Sequence, residues 1–319
     1  MADKASLAET LKRTTVEVLP DPLDGNALAE RLAAEPQALC IVNTKAHAAE
    51  LFAKLRERAG TAEGVYHLST NLCPAHRRDA LATILKRLAE DQPCRVVSTQ
   101  LIEAGVDIDF PVVYRSLAGI DAIAQAAGRC NREGRLATGP VTVFTPAERA
   151  FLGSGFIRQT GETAASVLRR HGHEPLSLSA ITDYFQRLYH AKEHVLDGKN
   201  ILGMAKSTRE GFSAQFREIA SAFQLIEDPG EPVVVPFGGE GRKLCDALTG
   251  HFPADVTLLR RAQAYTVNAL PKTIQALKAQ GAIVPATGRE GLWVMVADTS
   301  YHAELGVSNS EISAEQLIR

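Results

Sequence analysis

Short apolar runs alternate with amphipathic stretches along the first half of the chain, and this alternation constrains the fold more than any other feature. The short runs have the length of strands, whereas the longer stretches carry apolar residues at helical spacing. Strands are predicted at residues 15–18, 38–42, 65–68, 95–99, 112–115 and 141–144, and helices at residues 26–34, 46–58, 76–90 and 120–130. This alternation predicts an α/β fold, with a parallel sheet covered by helices on both faces.

The pattern changes after Pro146. Residues 147–202 are predicted to be mostly helical, and a second, smaller α/β unit is predicted from about residue 212. Its strands are predicted at residues 233–235, 282–285 and 292–296 and its helices at residues 243–249 and 256–264, with a glycine-rich turn at 238–241. We therefore predict an N-terminal tail (1–12), a sheet domain (13–148), a helical connector (149–210) and a small C-terminal α/β accessory domain (211–319).

Composition and charge exclude several classes of protein. Of the 319 residues, 45% are hydrophobic and 23% charged, which is typical of a globular protein. The net charge of −2 shows no global basic excess, so any nucleic-acid binding must rest on a local surface. No apolar run approaches the roughly 20 residues of a membrane span, and residues 1–10 lack the apolar core of a secretory signal. The five cysteines are scattered, without a C-x-x-C pair, so we predict a cytoplasmic protein with no membrane partner and no metal centre.

Two linked features between Ser98 and Arg135 carry the chemistry. In the first, a hydroxyl pair, Ser98 and Thr99, stands at the predicted carboxyl end of a strand, where open α/β sheets bind ligands. Gly105 then permits a tight turn, and Asp107 can accept a hydrogen bond from a ribose hydroxyl or orient an arginine.

The second feature is a predicted helix that carries Gln125, Arg129 and Arg132 at positions i, i+4 and i+7. These three side chains should share one helical face, and Gly128 between them leaves room for a close neighbour. Two adjacent guanidinium groups repel each other unless an anion joins them, and phosphate oxygens match the guanidinium fork.

The whole stretch from Ser98 to Arg135 resembles motifs V and VI of superfamily 2 helicases, and within them the CRISPR-associated helicase–nuclease of type I systems. The resemblance extends upstream to Cys40-Ile41-Val42-Asn43-Thr44, as motif IV, and to His67-Leu68-Ser69-Thr70 followed by Pro74, His76 and Arg77, as motif IVa. It extends more loosely to residues 216–235, at the start of that family's C-terminal domain. That enzyme is recruited by the Cascade surveillance complex and degrades foreign DNA. The resemblance implies a second RecA-like domain followed by a C-terminal domain.

The resemblance also implies a role for each matching residue. Arg129 and Arg132 would be arginine fingers on the γ-phosphate of ATP, with Gln125 positioning the attacking water or the phosphate. Nucleotide contacts would come from Gly105, Asp107 and Gly128. Single-stranded DNA phosphates would be held by Asn43, Thr44, Ser69, Thr70, Ser98 and Thr99.

Half of the expected ATPase site has no match in this sequence. There is no G-x-x-x-x-G-K-[ST] loop, no acidic box for Mg²⁺ and no His-Asp dipeptide of the family's nuclease domain. We therefore expect the chain by itself neither to hydrolyse ATP nor to cut DNA. The resemblance implies that ATP and Mg²⁺ would be shared with a first RecA-like domain, in cis or in trans, with a nuclease domain and Cascade as further partners.

Other interpretations remain open from the sequence alone. The chain could be a non-catalytic adaptor that uses a helicase-like fold to bind DNA or a protein, or the second domain of an RNA helicase. The H-x-x-E-H pattern of His190, Glu193 and His194 matches an inverted zinc-protease signature, or else belongs to a polar helix.

Overall fold

The computed structural model describes residues 12–193, 196–208, 211–223 and 230–308. Its first half contains a six-stranded sheet in which every pairing is parallel. The strands are β1 (Thr14–Val18), β2 (Gln37–Ile41), β3 (Val65–Leu68), β4 (Cys94–Ser98), β5 (Val113–Ser116) and β6 (Gly139–Phe144). Their order across the sheet is β1-β6-β5-β2-β4-β3, so β2 and β5 lie in the interior.

Helices cover both faces of this sheet because successive residues of its strands point to opposite sides. In β2, Leu39 and Ile41 belong to one buried cluster, and Ala38 and Cys40 belong to the other. The helices are α1 (Gly25–Ala34), α2 (Lys45–Ala59), α3 (Pro74–Ala89) and α4 (Ile120–Ala127). Buried side chains of α1 and α2 complete one cluster, and those of α3 and α4 complete the other. The predicted parallel α/β sheet is confirmed.

Two long helices follow the sheet, α5 (Gly155–His171) and α6 (Leu178–Lys192). They pack on α4 and β6 through a third buried cluster that includes Ile123, Val143, Val167 and Tyr184. The helical character predicted for this region is therefore confirmed. The chain continues through α7 (Ile201–Met204), the hairpin of β7 (Ala205–Thr208) and β8 (Gly211–Ala214), and α8 (Phe216–Ala222).

The C-terminal part contains a mixed four-stranded sheet in the order β10-β9-β12-β11. Its strands are β9 (Glu231–Val234), β10 (Thr266–Ala269), β11 (Ile283–Ala286) and β12 (Arg289–Met295). The helices are α9 (Gly238–Leu248), α10 (Val256–Ala262) and α11 (Pro271–Ala279), and a short hairpin of β13 (Tyr301–His302) and β14 (Gly306–Val307) ends the described region. Among the described residues, short 3-10 helices lie at Gln100–Ile102, Arg149–Leu152, Gln263–Tyr265 and Asp298–Ser300.

Several local predictions for this second half were wrong or incomplete. Residues 238–241 are not a turn but the first turn of α9, which Gly238 enters with a φ of 61°. The sequence did not predict β10, α11 or the β7–β8 hairpin. The boundaries between domains remain a prediction, although the elements fall into the order expected. Among the helices of the described residues, none has the length and apolar character that a bilayer crossing requires.

The two sheets are joined through the start of α3 and the β13–β14 hairpin. Cys73 and Ala75 are buried in the same cluster as the C-terminal sheet. The His76 ring stacks on Phe237 at 4.2 Å, and its Nδ1 lies 3.0 Å from the Tyr301 hydroxyl. These contacts fix the C-terminal sheet beside the end of β3 and the start of α3.

Candidate functional site

Helix α4 ends earlier than predicted, and this changes the geometry of the two arginines. The helix stops at Ala127, and Asn131 adopts a left-handed conformation with a φ of 46°. The chain leaves the helix because the backbone at Arg129 and Asn131 pairs with Phe110 through two hydrogen bonds of 2.9 Å. The prediction that residues 120–130 form one helix is therefore wrong at its end, and Arg129 and Arg132 do not share a helical face with Gln125.

The arginines instead lie on a turn, here called the arginine turn (residues 128–134), that faces the loop after β4. Arg129 donates from Nε to the Ile102 carbonyl at 3.1 Å and from Nη2 to the Glu103 carbonyl at 2.8 Å. Burial lowers the pKa of Arg129, the nearby Arg132 charge lowers it further, and Asp107 opposes both. The two guanidinium groups thus remain electrostatic neighbours without the helix that was expected to align them.

Arg132 and Asp107 form an exposed ion pair on this turn. The Arg132 Nε lies 2.7 Å from the Asp107 Oδ1, and the two side chains are 47% and 86% exposed. Such an exposed pair contributes only about 0–1 kcal/mol, so another anion can replace the carboxylate at little cost.

Two residues that the sequence did not single out hold the backbone of the arginine turn. The Asp109 carboxylate accepts hydrogen bonds from the backbone N–H groups of Arg132 at 2.7 Å and of Glu133 at 3.2 Å. Buried Asn131 donates from Nδ2 to the carbonyls of Arg13 and Leu136. Asn131 could have been suspected because asparagine tolerates positive φ, but nothing local indicates the role of Asp109.

The remaining nucleotide-site candidates lie around the same turn. Gln125 and Gly128 are exposed at the end of α4. Gly105 has a φ of 74° with no heavy atom within 4 Å of an added Cβ, so its conformation and not its packing requires glycine. Gly105 therefore forms the tight turn that was predicted.

The six candidate DNA-binding residues follow the carboxyl ends of β2, β3 and β4, at one edge of the sheet. Three of them point inward and make internal contacts. The Asn43 side chain donates to the Leu117 carbonyl at 2.8 Å, the Ser69 hydroxyl accepts from the Asn71 N–H, and the Ser98 hydroxyl donates to the Thr99 carbonyl. These side chains hold the ends of the strands in place.

The other three differ in how far they reach the surface. Thr70 is exposed, and Thr44 is half-buried, with its hydroxyl capping α2 by accepting from the His47 N–H at 3.1 Å. Thr99 is only 6% exposed. Side-chain contact with a DNA phosphate is therefore open to Thr70 and Thr44, and the inward-pointing residues could contribute only through their backbone.

An open cleft of about 690 Å³ separates this edge from the C-terminal sheet. Thr70, Lys45 and Arg77 line it on the side of the parallel sheet, and Asn268 and Arg289 line it on the other side. Three cationic residues and several hydrogen-bonding groups thus gather at one place on a chain whose net charge is −2.

The arginine turn and this edge belong to opposite ends of the strands. Cys130 bridges to Phe110, ahead of β5, and Gly139 at the start of β6 packs against Cys130 and Asn131. The two candidate sites are therefore separate, and the loop from Thr99 to Val112 runs between them.

The described part of the chain holds no group of three or more His, Cys, Asp or Glu side chains placed to bind a metal ion. His190 and Glu193 are 87% and 79% exposed, and His194 of the possible zinc pattern lies outside the described residues.

The family model described as CRISPR-associated nuclease/helicase Cas3, C-terminal, matches residues 34–135. The chain resembles the C-terminal region of Cas3. The matched residues contain the sheet edge and the arginine turn, so both candidate sites lie within the helicase-like part of that resemblance.

Two curated Cas3 proteins resemble limited parts of the chain. Cas3 of Haloferax volcanii is 41% identical over 93 residues, which are 28% of this chain and 10% of that protein. Cas3 of Methanothermobacter thermautotrophicus is 28% identical over 151 residues, which are 44% of this chain and 18% of that protein. The aligned region is thus a small part of either relative.

Solved structures extend the likeness in fold beyond the aligned sequence. A crystal structure of T. fusca Cas3 with ADP matches at a TM-score of 0.58 and 18% identity, covering 89% of this chain and 39% of that one. A crystal structure of a CRISPR-associated protein matches at 0.60 and 17%, covering 93% and 41%. A chain of a CRISPR RNA-guided surveillance complex before nicking matches at 0.60 and 17%, covering 93% and 44%. At such identities these matches show the fold, including the second sheet.

Proposed function

We propose that this chain is the second motor half of an ATP-driven single-stranded-DNA translocase of CRISPR interference, with its C-terminal region. In this function the arginine turn completes a nucleotide site on a first motor domain, and the sheet edge holds the DNA backbone. T. fusca Cas3 has been crystallised with ADP and with ATP, which supports a nucleotide at the corresponding place in this chain. The structural match to a chain of a CRISPR RNA-guided surveillance complex supports such a complex as a partner of this protein.

The observation that carries the proposal is the exposed Arg132–Asp107 pair on a turn with a fixed backbone. The pair lies at 2.7 Å, and Asp109 holds the Arg132 backbone N–H at the same distance. A guanidinium that is positioned before the reaction can stabilise the charge that develops on a phosphoryl group. In this arrangement Arg132 is the finger, and Arg129 acts beside it while its Nε and Nη2 hold the loop after β4.

The nucleotide itself would be ATP, with Mg²⁺ held by the first motor domain. The guanidinium of Arg132 fits a phosphate, because the Asp107 carboxylate that it contacts is 86% exposed and can be displaced by another anion. Gln125, exposed on α4, would position the water or the phosphate, and Gly105, Asp107 and Gly128 would border the nucleotide.

The DNA backbone would run along the cleft between the two sheets. Thr44 and Thr70 supply hydroxyl groups, and Lys45, Arg77 and Arg289 supply positive charge. Contacts of this kind bind phosphates without reading the base sequence.

The test is a titration of the full chain with a fluorescent oligo(dT) over a range of salt concentrations. We expect weak binding, with an association constant whose logarithm decreases as the logarithm of the salt concentration rises. The magnitude of this slope should become smaller by about 0.7 for each phosphate contact removed, as in Arg77→Ala or Arg289→Ala. Arg242→Ala is the control, because that exposed arginine pairs with Asp298 at 2.6 Å and does not line the cleft. Binding that is insensitive to salt, or that weakens equally in all three variants, would contradict the proposed DNA path.

A further inference from the structure

Arg115 of β5 is a fully buried arginine at the centre of the sheet, with 0% of its surface exposed. Burying a guanidinium group away from water costs several kcal/mol unless it is paired and hydrogen-bonded. The resemblance to helicase motifs implies no role for Arg115, which is not itself one of the residues of the two candidate sites.

The partners of Arg115 come from the ends of two neighbouring strands. Its Nε lies 2.8 Å from the Glu103 carboxylate, in the loop after β4, and Glu103 is only 8% exposed. Its Nη1 donates to the Asn43 Oδ1, after β2, and to the Ser116 carbonyl, each at 2.7 Å. Arg115 therefore contacts both Asn43, at the sheet edge proposed to bind DNA, and Glu103, in the loop that leads to Asp107.

The backbone of Glu103 is bound by the arginine turn, whereas its side chain faces Arg115. Its backbone carbonyl accepts from the Arg129 Nη2 at 2.8 Å, while its carboxylate faces Arg115. Asn43, Arg115, Glu103 and Arg129 thus form one continuous line of direct contacts, with hydrogen-bond or ion-pair distances of 2.7, 2.8 and 2.8 Å. This line connects the two candidate sites, which otherwise lie at opposite ends of the strands.

A second route reinforces the same connection. The Gln100 side chain donates from Nε2 to the Asn43 carbonyl at 3.2 Å, and Gln100 begins the 3-10 turn that ends at Ile102. The Ile102 carbonyl accepts from the Arg129 Nε at 3.1 Å. Asn43 is therefore connected to Arg129 by a second route, through the main chain of residues 100–102.

The geometry points to Arg115 as a positioning residue that couples DNA at the sheet edge to the orientation of Arg129 in the arginine turn. When a phosphate binds at Asn43-Thr44, the shift of Asn43 is passed through Arg115 to Glu103 and from its carbonyl to Arg129. This inference rests on the proposed function, because it assumes that DNA binds at this edge.

The experiment follows the Nε–Hε resonances of Arg129 and Arg115 in the ¹⁵N-labelled full chain while oligo(dT) is added. In the wild type, both resonances are expected to shift as oligo(dT) is added. The midpoint of each shift should equal the midpoint of the DNA-binding titration. In the double variant Arg115→Met/Glu103→Leu, the Arg129 displacement should fall below half of the wild-type value while DNA is still bound. A buried pair replaced by apolar residues of similar volume often leaves stability unchanged, so this variant is suited to folding.

Two further variants separate coupling from a general loss of structure. Arg158→Met/Glu162→Leu removes an exposed pair of the same charges, 3.0 Å apart on α5, and should leave the Arg129 response unchanged. Glu103→Gln removes only the carboxylate charge and leaves Arg115 with its hydrogen bonds to Asn43 and Ser116, so it should retain more of the Arg129 response than the double variant does.

The outcomes distinguish the inference from the function on which it rests. If the wild type does not bind DNA, the proposed function falls and the coupling falls with it. If it binds but Arg129 does not respond, or responds equally in the double variant, only the coupling is overturned. Should the double variant fail to fold, the wild-type spectra still decide, because an Arg129 that moves while Arg115 stays still contradicts the inference.

Discussion

Buried polar residues determine much of this structure at the scale of single side chains, and His67 is an example. It lies on β3 with 4% of its surface exposed, and its Nδ1 is 3.2 Å from the Glu304 carbonyl at the C-terminal hairpin. Burial lowers the pKa of His67 to about 4, because the charged ring would lose its water. The folded protein therefore holds this histidine neutral while it packs two parts of the chain together.

This lowered pKa predicts a loss of stability in acid. As the pH falls from about 6.5 towards 4, the unfolded chain takes up a proton on His67 that the folded chain does not, which costs up to about 1.4 kcal/mol per pH unit. The free energy of unfolding in urea, measured from pH 6.5 to 4.5, should therefore fall less steeply for His67→Gln than for the wild type. His190→Gln, at a side chain that is 87% exposed, is the control and should keep the wild-type slope. Equal slopes for His67→Gln and the wild type would refute this account of His67.

At the candidate sites, the contacts of individual side chains could be predicted from residue types only in part. Arg132 and Asp107 were both expected at the nucleotide, and they lie in contact. Asn43, Ser69 and Ser98 were expected on DNA, but their side chains are turned inward, since a polar residue at the end of a buried strand can also satisfy the backbone around it. The buried partnership of Arg115 with Glu103 could not be predicted, because it joins residues on different elements.

At the scale of elements, the β13–β14 hairpin attaches the C-terminal region to the parallel sheet. Gly306 has a φ of 73°, and a Cβ built on it would lie 2.1 Å from the Asn71 carbonyl oxygen. The next residue, Val307, donates its N–H to that same carbonyl at 2.9 Å. The backbone of the hairpin therefore approaches the β3–α3 loop too closely for any side chain.

We predict that Gly306→Ala destabilises this attachment. The positive φ alone costs roughly 1–2 kcal/mol for a residue with a Cβ, and the clash with Asn71 adds to it. Gly291→Ala is the matched control, because Gly291 has a φ of 77° but open space around it. Hydrogen exchange at residues 301–307 should be faster in Gly306→Ala than in Gly291→Ala. Identical exchange in the two variants would show that the close approach contributes nothing.

Elements of the first half followed from the sequence because their apolar periodicity is strong. Every strand of the parallel sheet was predicted within one or two residues. The end of α4 was missed because it is set by pairing with Phe110, far from Arg129 in sequence, while residues 128–130 themselves do not forbid a helix. Strand β10 was missed because it is only four residues long, with the weak pattern Thr-Val-Asn-Ala.

At the scale of the whole molecule, the cleft at the sheet edge and the arginine turn lie at opposite ends of the strands of the parallel sheet. Buried contacts of Arg115 connect them. The sheet edge and the C-terminal sheet enclose a cleft with Lys45, Arg77 and Arg289, and the arginine turn lies by the starts of β5 and β6. In the proposed function, this arrangement would let an event at the nucleotide reach the DNA strand. We therefore propose that the arginine turn acts on a nucleotide held by another domain.

The most direct measurement is ATP turnover by the full chain combined with a first motor domain that carries the phosphate-binding loop. Arg132→Ala should lower turnover by about 10³-fold or more, as removal of an arginine finger does. Arg135→Ala removes an exposed arginine that lies just beyond the turn and pairs with Glu133, and it should leave turnover nearly unchanged. An Arg132→Ala protein that kept more than about a tenth of the wild-type turnover would contradict the claim.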